Sequence, residues 1–225
     1  MKKDLFHQII CYIIVFSLIG LLIEFLFSFL SVEGRKGLIL GTFCPIYGIC
    51  AAIIIFALNK FNGHKIKLFI WGGILGAFIQ FLLSFSLEAI YGIRFWNYIN
   101  PLNINGRICL VYVMLWGVIS ILLIDVIKKY IDKIINKING KNAKIIDIIL
   151  AVVIILEILF TAWGIYVYRS RAKDIYDDVT IFEEKNIIEE IGDKIFTDEI
   201  MAKIFPNLIF LDNKNNEIWI RDLIK

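Results

Sequence analysis

The sequence predicts an all-α polytopic membrane protein with about five transmembrane helices, the second of them interrupted, and a small C-terminal α+β tail. Three observations lead there. Mean hydropathy is +0.77 and 59% of the 225 residues are hydrophobic, where water-soluble chains hold about 45–50% apolar residues. Several stretches with few or no charges approach the roughly 20 residues that a helix needs to cross a bilayer. The charge is also split. Residues 1–168 carry 15 Lys and Arg against 8 Asp and Glu, while residues 169–225 carry 9 against 13. That division predicts a transmembrane domain over 1–168 and an acidic, water-exposed tail over 169–225.

The first span is expected over 5–30. Lys2 and Lys3 precede it, but its apolar run is too long for the core of a cleavable signal peptide. The second is expected over 38–58, inside a run from Gly37 to Leu58 with no charged side chain. Gly41, Pro45 and Gly48 interrupt it. Pro45 lacks an amide donor and clashes with a preceding helical turn, so a helix breaks or begins there. Irregular backbone at membrane depth survives only where protein or a watery cavity covers it. The third, fourth and fifth spans are expected over 68–91, 108–124 and 145–168.

Basic residues in the short loops set orientation. Eleven lysines fall in the N-terminus, the 2–3 loop and the 4–5 loop, against four basic residues in the other two loops. The N-terminus is therefore expected inside and the C-terminus outside. In the 4–5 loop, Ile127, Tyr130, Ile131, Ile134, Ile135 and Ile138 recur at helical spacing with lysines opposite. This extension of the fourth span reads either as a positive-inside signal on the anionic inner surface or as a partner-docking surface through Lys129 and Lys133. In the tail, 183–191 predicts a short amphipathic helix. Thr197 is a good N-cap for a helix over 198–205, ended by Pro206. Residues 208–211 and 217–221 are spaced to pair as a hairpin. So small a tail is expected to lean on the membrane part.

Ionisable groups within spans cost roughly 2.5–3.5 kcal/mol each at the centre, so each needs a reason. Glu24, Glu88, Arg35, Lys36 and Arg107 come to one outer level in the predicted topology, beside the Pro45 break and a 92–106 loop rich in Trp, Tyr and Asn. One reading is structural, with Glu24–Arg107 or Glu88–Lys36 pairs pinning helices. The other is a shallow outward cavity lined by Glu24, Lys36, Tyr47, Glu88, Asn97, Asn103 and Arg107. Glu157, mid-span, is a candidate proton relay or a neutral hydrogen-bond partner of Gln80. Asp125 and Asp147 are expected solvated at the inner ends.

Other chemistries are not expected. No nucleophile–base pair accompanies the carboxylates, so no enzyme is predicted. Four cysteines form no Cys-x-x-Cys pair and His7 lies far from His64, so no zinc site of the usual spacing, no other metal and no cofactor is expected. Cys44 and Cys109 fall near the outer face, where a disulfide is feasible. A net charge of +3 gives no reason for a nucleic acid partner; the partner predicted from composition is the lipid bilayer.

The order Ile19-Gly20, Glu24, 37–48 (GLILGTFCPIYG), Glu88, 95–98 (FWNY) and 101–110 (PLNINGRICL) resembles a bacterial membrane-protein family labelled ABC-transporter type IV permeases, CmpB-like, over about residues 10–125. The chain departs from that pattern at Lys36, where the family carries Arg, and at Thr42, where it carries Pro. A Lys is only a point charge where Arg offers a planar fork. The resemblance implies a multi-pass protein of the bacterial cell membrane, a permease component of unstated substrate. It further implies a separate ATPase subunit, since no phosphate-binding Gly-rich loop is present here. The competing expectation is a non-transport sensor or assembly factor whose outer tail is the recognition module.

Overall fold

The computed structural model describes residues 5–28, 38–40, 44–99, 102–137, 141–177, 186–212 and 216–223, with the side chains of 23–28 and 141–142 outside the description. The protein is mostly helical, with small sheets toward the C-terminus. Four helical stretches are long and apolar enough to cross a membrane: Leu5–Leu22 within α1 (Leu5–Ser28), Lys65–Tyr91 (α3), Leu110–Ile135, and Ala143–Tyr176 within α6 (Lys141–Tyr176).

The second expected span is shorter as a helix than the sequence predicts. Helix α2 covers Pro45–Leu58, 14 residues, and closes in a 3₁₀ turn at Asn59–Phe61. At 1.5 Å per residue it is about 21 Å long, short of the roughly 30 Å hydrocarbon core. Pro45 is its first residue, where a missing amide costs nothing. Its start lies midway along α1: Cys44 N–H donates to the Ser17 carbonyl at 3.3 Å, and the Tyr47 ring covers Gly20. The two helices run antiparallel, since Phe56, near the other end of α2, meets the ring of Tyr12. A Cβ added at Gly48 would fall 2.1 Å from the Ile13 carbonyl oxygen, so the helices approach to backbone contact.

The same device joins α3 to the fourth span. Gly72 and Gly76 are one turn apart on α3 and face Ser120 and Trp116. Small residues at this spacing let membrane helices pack closely where no hydrophobic force between helices exists. The fourth span is longer than predicted. It runs as α4 (Leu110–Ile121), a π-helical stretch (Leu122–Ile127) and α5 (Lys128–Ile135). Ile131 and Ile135 of α5 are buried with Tyr12, Phe16, Ile54 and Ile124. Lys129 and Lys133 are exposed on the other face.

Helix α6 has 36 residues and passes without interruption beyond 168 into the predicted tail. There α7 (Ile187–Ile195) opens on a capping box from Asn186 and Glu189, a few residues later than the expected helix. Helix α8 (Asp198–Ile204) has the predicted Thr197 N-cap. The predicted hairpin forms as β4 (Ile209–Leu211) and β5 (Glu217–Trp219), before a short α9 (Ile220–Leu223). Strand β4 also pairs with β1 (Ile93–Arg94), Ile93 opposite Phe210. Ile93, Ile165, Val167, Tyr168, Phe196, Met201 and Phe210 share one core, so the tail is built onto the membrane part. Arg171 of α6 strengthens that seam by bonding Asp193, Asp198 and the Phe196 carbonyl.

Candidate site at the tail end of the spans

Helix α3 ends at Tyr91 on a left-handed Gly92, which leaves Glu88 in its last turn. The chain then enters β1, which carries Arg94. Further on, β2 (Asn103–Ile104) and β3 (Ile108–Cys109) form a hairpin. Asn105 and Gly106 take positive φ at its tip and Arg107 N–H donates to the Ile104 carbonyl, the turn for which Asn-Gly is favoured. Asn103 Oδ1 accepts from Gly106 N–H at 2.8 Å. Gly106 admits no side chain, because a Cβ would fall 1.8 Å from Asn97 Oδ1.

This hairpin delivers Arg107 to Glu88, with Nη2 to Oε2 at 2.7 Å. Arg94 Nε donates to the same oxygen at 2.6 Å, and its Nη1 to Glu217 of β5 at 2.9 Å. Asn97 Nδ2 donates to both Glu217 oxygens, at 2.8 and 2.7 Å. Two carboxylates thus hold two guanidiniums, and the hydrogen bond that Arg94 donates to Glu88, with Glu217 beside it, raises the Arg94 pKa above its ordinary value. Arg107 is buried, with its guanidinium carbon 5.5 and 5.6 Å from the Phe81 and Phe85 ring centres, within cation–π range. Its Nε is buried with no hydrogen-bond partner among the described residues. Beside it lies a cavity of about 260 Å³ lined by Phe85, Glu88, Ala89, Gly92, Arg107, Leu211 and Asp212. Below it, Gln80 donates to Tyr98 Oη and accepts from Trp116 Nε1, joining α3, the loop and α4.

Of the residues expected to line a cavity, Glu88 and Arg107 do so. Asn97 supports the network from the rim, and Asn103 shapes the hairpin. Tyr47 belongs instead to the α1–α2 contact over Gly20. The Glu24 side chain, Lys36 and Gly41 lie outside the described residues. Glu88 pairs with Arg107 and Arg94; the expected Glu24–Arg107 and Glu88–Lys36 pairs each involve a side chain outside the described residues. Arg94, Glu217 and Asp212 are members that the sequence reading missed. A signal for Arg94 existed, an Arg six residues after a carboxylate at a span end. Glu217 lies 123 residues from Arg94 and gave no local signal.

Three further expectations change. Gln80 is fully engaged by Tyr98 and Trp116 and does not bond Glu157, whose Oε2 is buried without a hydrogen-bond partner among the described residues. Asp147 is not solvated: it is buried and bonded to His7 at 2.8 Å. Asp125, at the same end of the spans, accepts from Gly63 N–H at 2.9 Å. No disulfide joins Cys44 to Cys109 among the described residues, and none involves Cys11 or Cys50.

No curated protein and no solved structure matches this chain. A family model matches residues 11–162, a stretch that contains Glu88, Arg94, Arg107 and the basic α5 and stops short of the tail's hairpin. The chain belongs to the family described as "Putative ABC-transporter type IV".

Proposed function

We propose that the chain is the membrane-spanning permease component of a transport system and works with a separate ATPase subunit. On this reading the lysine-rich end faces the cytoplasm, where α5 docks the ATPase through Lys129 and Lys133, and the tail lies outside. The cavity beside Arg107 receives the substrate, a small molecule with an acceptor or anionic group for the buried guanidinium.

The observation that carries the reading is that the family match contains the charged wall of the polar cavity at one end of the bundle, Glu88 and Arg107, and the basic helix at the other. The start of α2 midway along α1 supports it, because interrupted helices are where transporters expose backbone dipoles to substrate. The test is purification of the tagged chain from its native membranes in mild detergent. An ATPase subunit should come with it, and the Lys129→Glu/Lys133→Glu variant should lose that subunit while remaining monodisperse. Undiminished recruitment by the variant would contradict the docking role, and purification without any ATPase would contradict the permease reading.

A sensor or assembly-factor role is the second reading. It is favoured by the hydrogen bond that Arg94, itself bonded to Glu88 of the cavity wall, donates to the tail's Glu217. Truncation after residue 177 would then abolish function in a chain that still inserts, with no ATPase recovered from the intact protein.

A further inference from the structure

The opposite end of the bundle holds a second polar cluster. His7 and Cys11 lie one turn apart on α1, and Asp147 comes from the first turns of α6, 140 residues away from His7. His7 and Asp147 are buried and Cys11 is half-buried. His7 Nδ1 and Asp147 Oδ2 are 2.8 Å apart, and Cys11 Sγ is 3.7 Å from each His7 ring nitrogen. One donor atom from each residue falls within 4.8 Å of the others.

We propose that His7, Cys11 and Asp147 form a binding site for a divalent transition-metal ion of the zinc type, which ties α1 to α6 at the lysine-rich end. The donor set argues for this class. A thiolate excludes Mg²⁺ and Ca²⁺, which take oxygen ligands. One imidazole, one thiolate and one carboxylate suit Zn²⁺, and three protein ligands leave the fourth tetrahedral position to water. The spacing is close to what a metal needs. With Zn–N near 2.0–2.1 Å, Zn–S near 2.3 Å and Zn–O near 2.0–2.2 Å, tetrahedral edges are about 3.6 Å for N···S and about 3.3 Å for N···O. The sulfur stands at 3.7 Å from both ring nitrogens, so metal uptake turns the imidazole until one nitrogen faces the sulfur, and the carboxylate, now at 2.8 Å, retreats by about 0.5 Å. Two ligands at i and i+4 on one helix face are also a recurrent metal-chelating arrangement.

Charge gives a second argument. A thiolate and a carboxylate buried together repel, and burial disfavours both charges. A divalent ion with these two anions and a neutral imidazole sums to zero, which suits a site at the end of membrane spans. Binding releases the Cys11 thiol proton to solvent, so uptake of metal is accompanied by acidification.

The test uses the full chain, purified in detergent, stripped with chelator and titrated with Co²⁺. Binding should produce tetrahedral visible bands and a thiolate-to-cobalt charge-transfer band, release protons, and be reversed by Zn²⁺. Cys11→Ser should lose the charge-transfer band, while Cys50→Ser keeps it. His7→Gln and Asp147→Asn should weaken binding beyond the roughly 10–100-fold that loss of an outer hydrogen-bonding partner costs, and they serve if Cys11→Ser does not fold. A monodisperse wild type that shows no cobalt spectrum would overturn the proposal. So would a charge-transfer band that survives in Cys11→Ser.

Discussion

Replacing Glu88 by Gln removes one charge from a set of four that now cancels. The variant leaves Arg107 beside a neutral amide, while Arg94 keeps Glu217. The side chains of Arg107, Arg94 and Glu88 are 8%, 15% and 21% exposed. Removing one partner of a buried ion pair costs about 3–5 kcal/mol, because the other charge is left uncompensated. An exposed pair is worth about 0–1 kcal/mol. The Arg107 arm belongs with the first class and the Arg94 arm with the second, since its other carboxylate remains. Taking the low end for a carboxylate that is one-fifth exposed, Glu88→Gln should cost about 3 kcal/mol. Arg107→Gln should cost less, about 2 kcal/mol, because Glu88 keeps Arg94 and what is lost is a charged hydrogen bond with the contacts over Phe81 and Phe85. The double variant should fall short of the sum by about 1–2 kcal/mol, as for residues in one network. Reversible unfolding in mixed micelles, titrated with a denaturing detergent, measures all three. A Glu88→Gln cost within about 1 kcal/mol of zero would refute the reasoning, placing the network with exposed pairs. An Arg107→Gln cost equal to that of Glu88→Gln would refute the assignment of Glu88 as the shared partner.

Other outcomes follow from the packing. Gly76→Leu should separate α3 from α4, since even a Cβ there would meet the Trp116 ring at 2.4 Å; the same unfolding assay should read at least the roughly 1–3 kcal/mol of overpacking, and an unchanged midpoint would mean the helices are farther apart. Ile93→Ala, at a fully buried position opposite Phe210, should cost about 2–5 kcal/mol and speed proteolysis within 178–225; unaltered cleavage would show that the tail does not depend on β1. Glu157→Leu should raise stability by about 1–2 kcal/mol by removing a buried carboxylate oxygen without a partner, whereas a loss would reveal a partner. Alkylation of the unfolded, unreduced chain should label all four cysteines; protection of Cys44 and Cys109 alone would reveal a disulfide between them.

What the sequence made legible was local. Long apolar runs marked the spans, Pro45 marked a helix start, and Thr197 marked an N-cap. The spacing of 208–211 and 217–221 marked a hairpin. Each of these depends on neighbours a few residues away. The contacts that build the two polar clusters do not. Glu217 reaches Arg94 and Asp147 reaches His7 only after the chain has folded back over more than a hundred residues, and no periodicity carries that pairing. The last span was expected to end at 168, just short of Arg169, Arg171 and Lys173. They stand instead on a helix that continues past the edge, with Arg171 bonded into the tail. The start of α7 differs for a smaller reason: the expected helix opened at Glu183, and the capping box of Asn186 and Glu189 sets the observed start.

The unbroken length of α6 has a mechanical consequence. A helix of 36 residues is about 54 Å long, nearly twice the thickness of the hydrocarbon core, and one end lies beside His7 while the other is fastened to the tail through Arg171. Such a rod acts as a lever. Pivoting by about 5° at the lysine-rich end sweeps the far end through about 5 Å, since the arm is about 54 Å, and would shift the tail's Leu211 and Asp212, which line the cavity. Two spectroscopic labels, one near each end of α6, would read that stroke directly as a change in their distances to fixed points on α3.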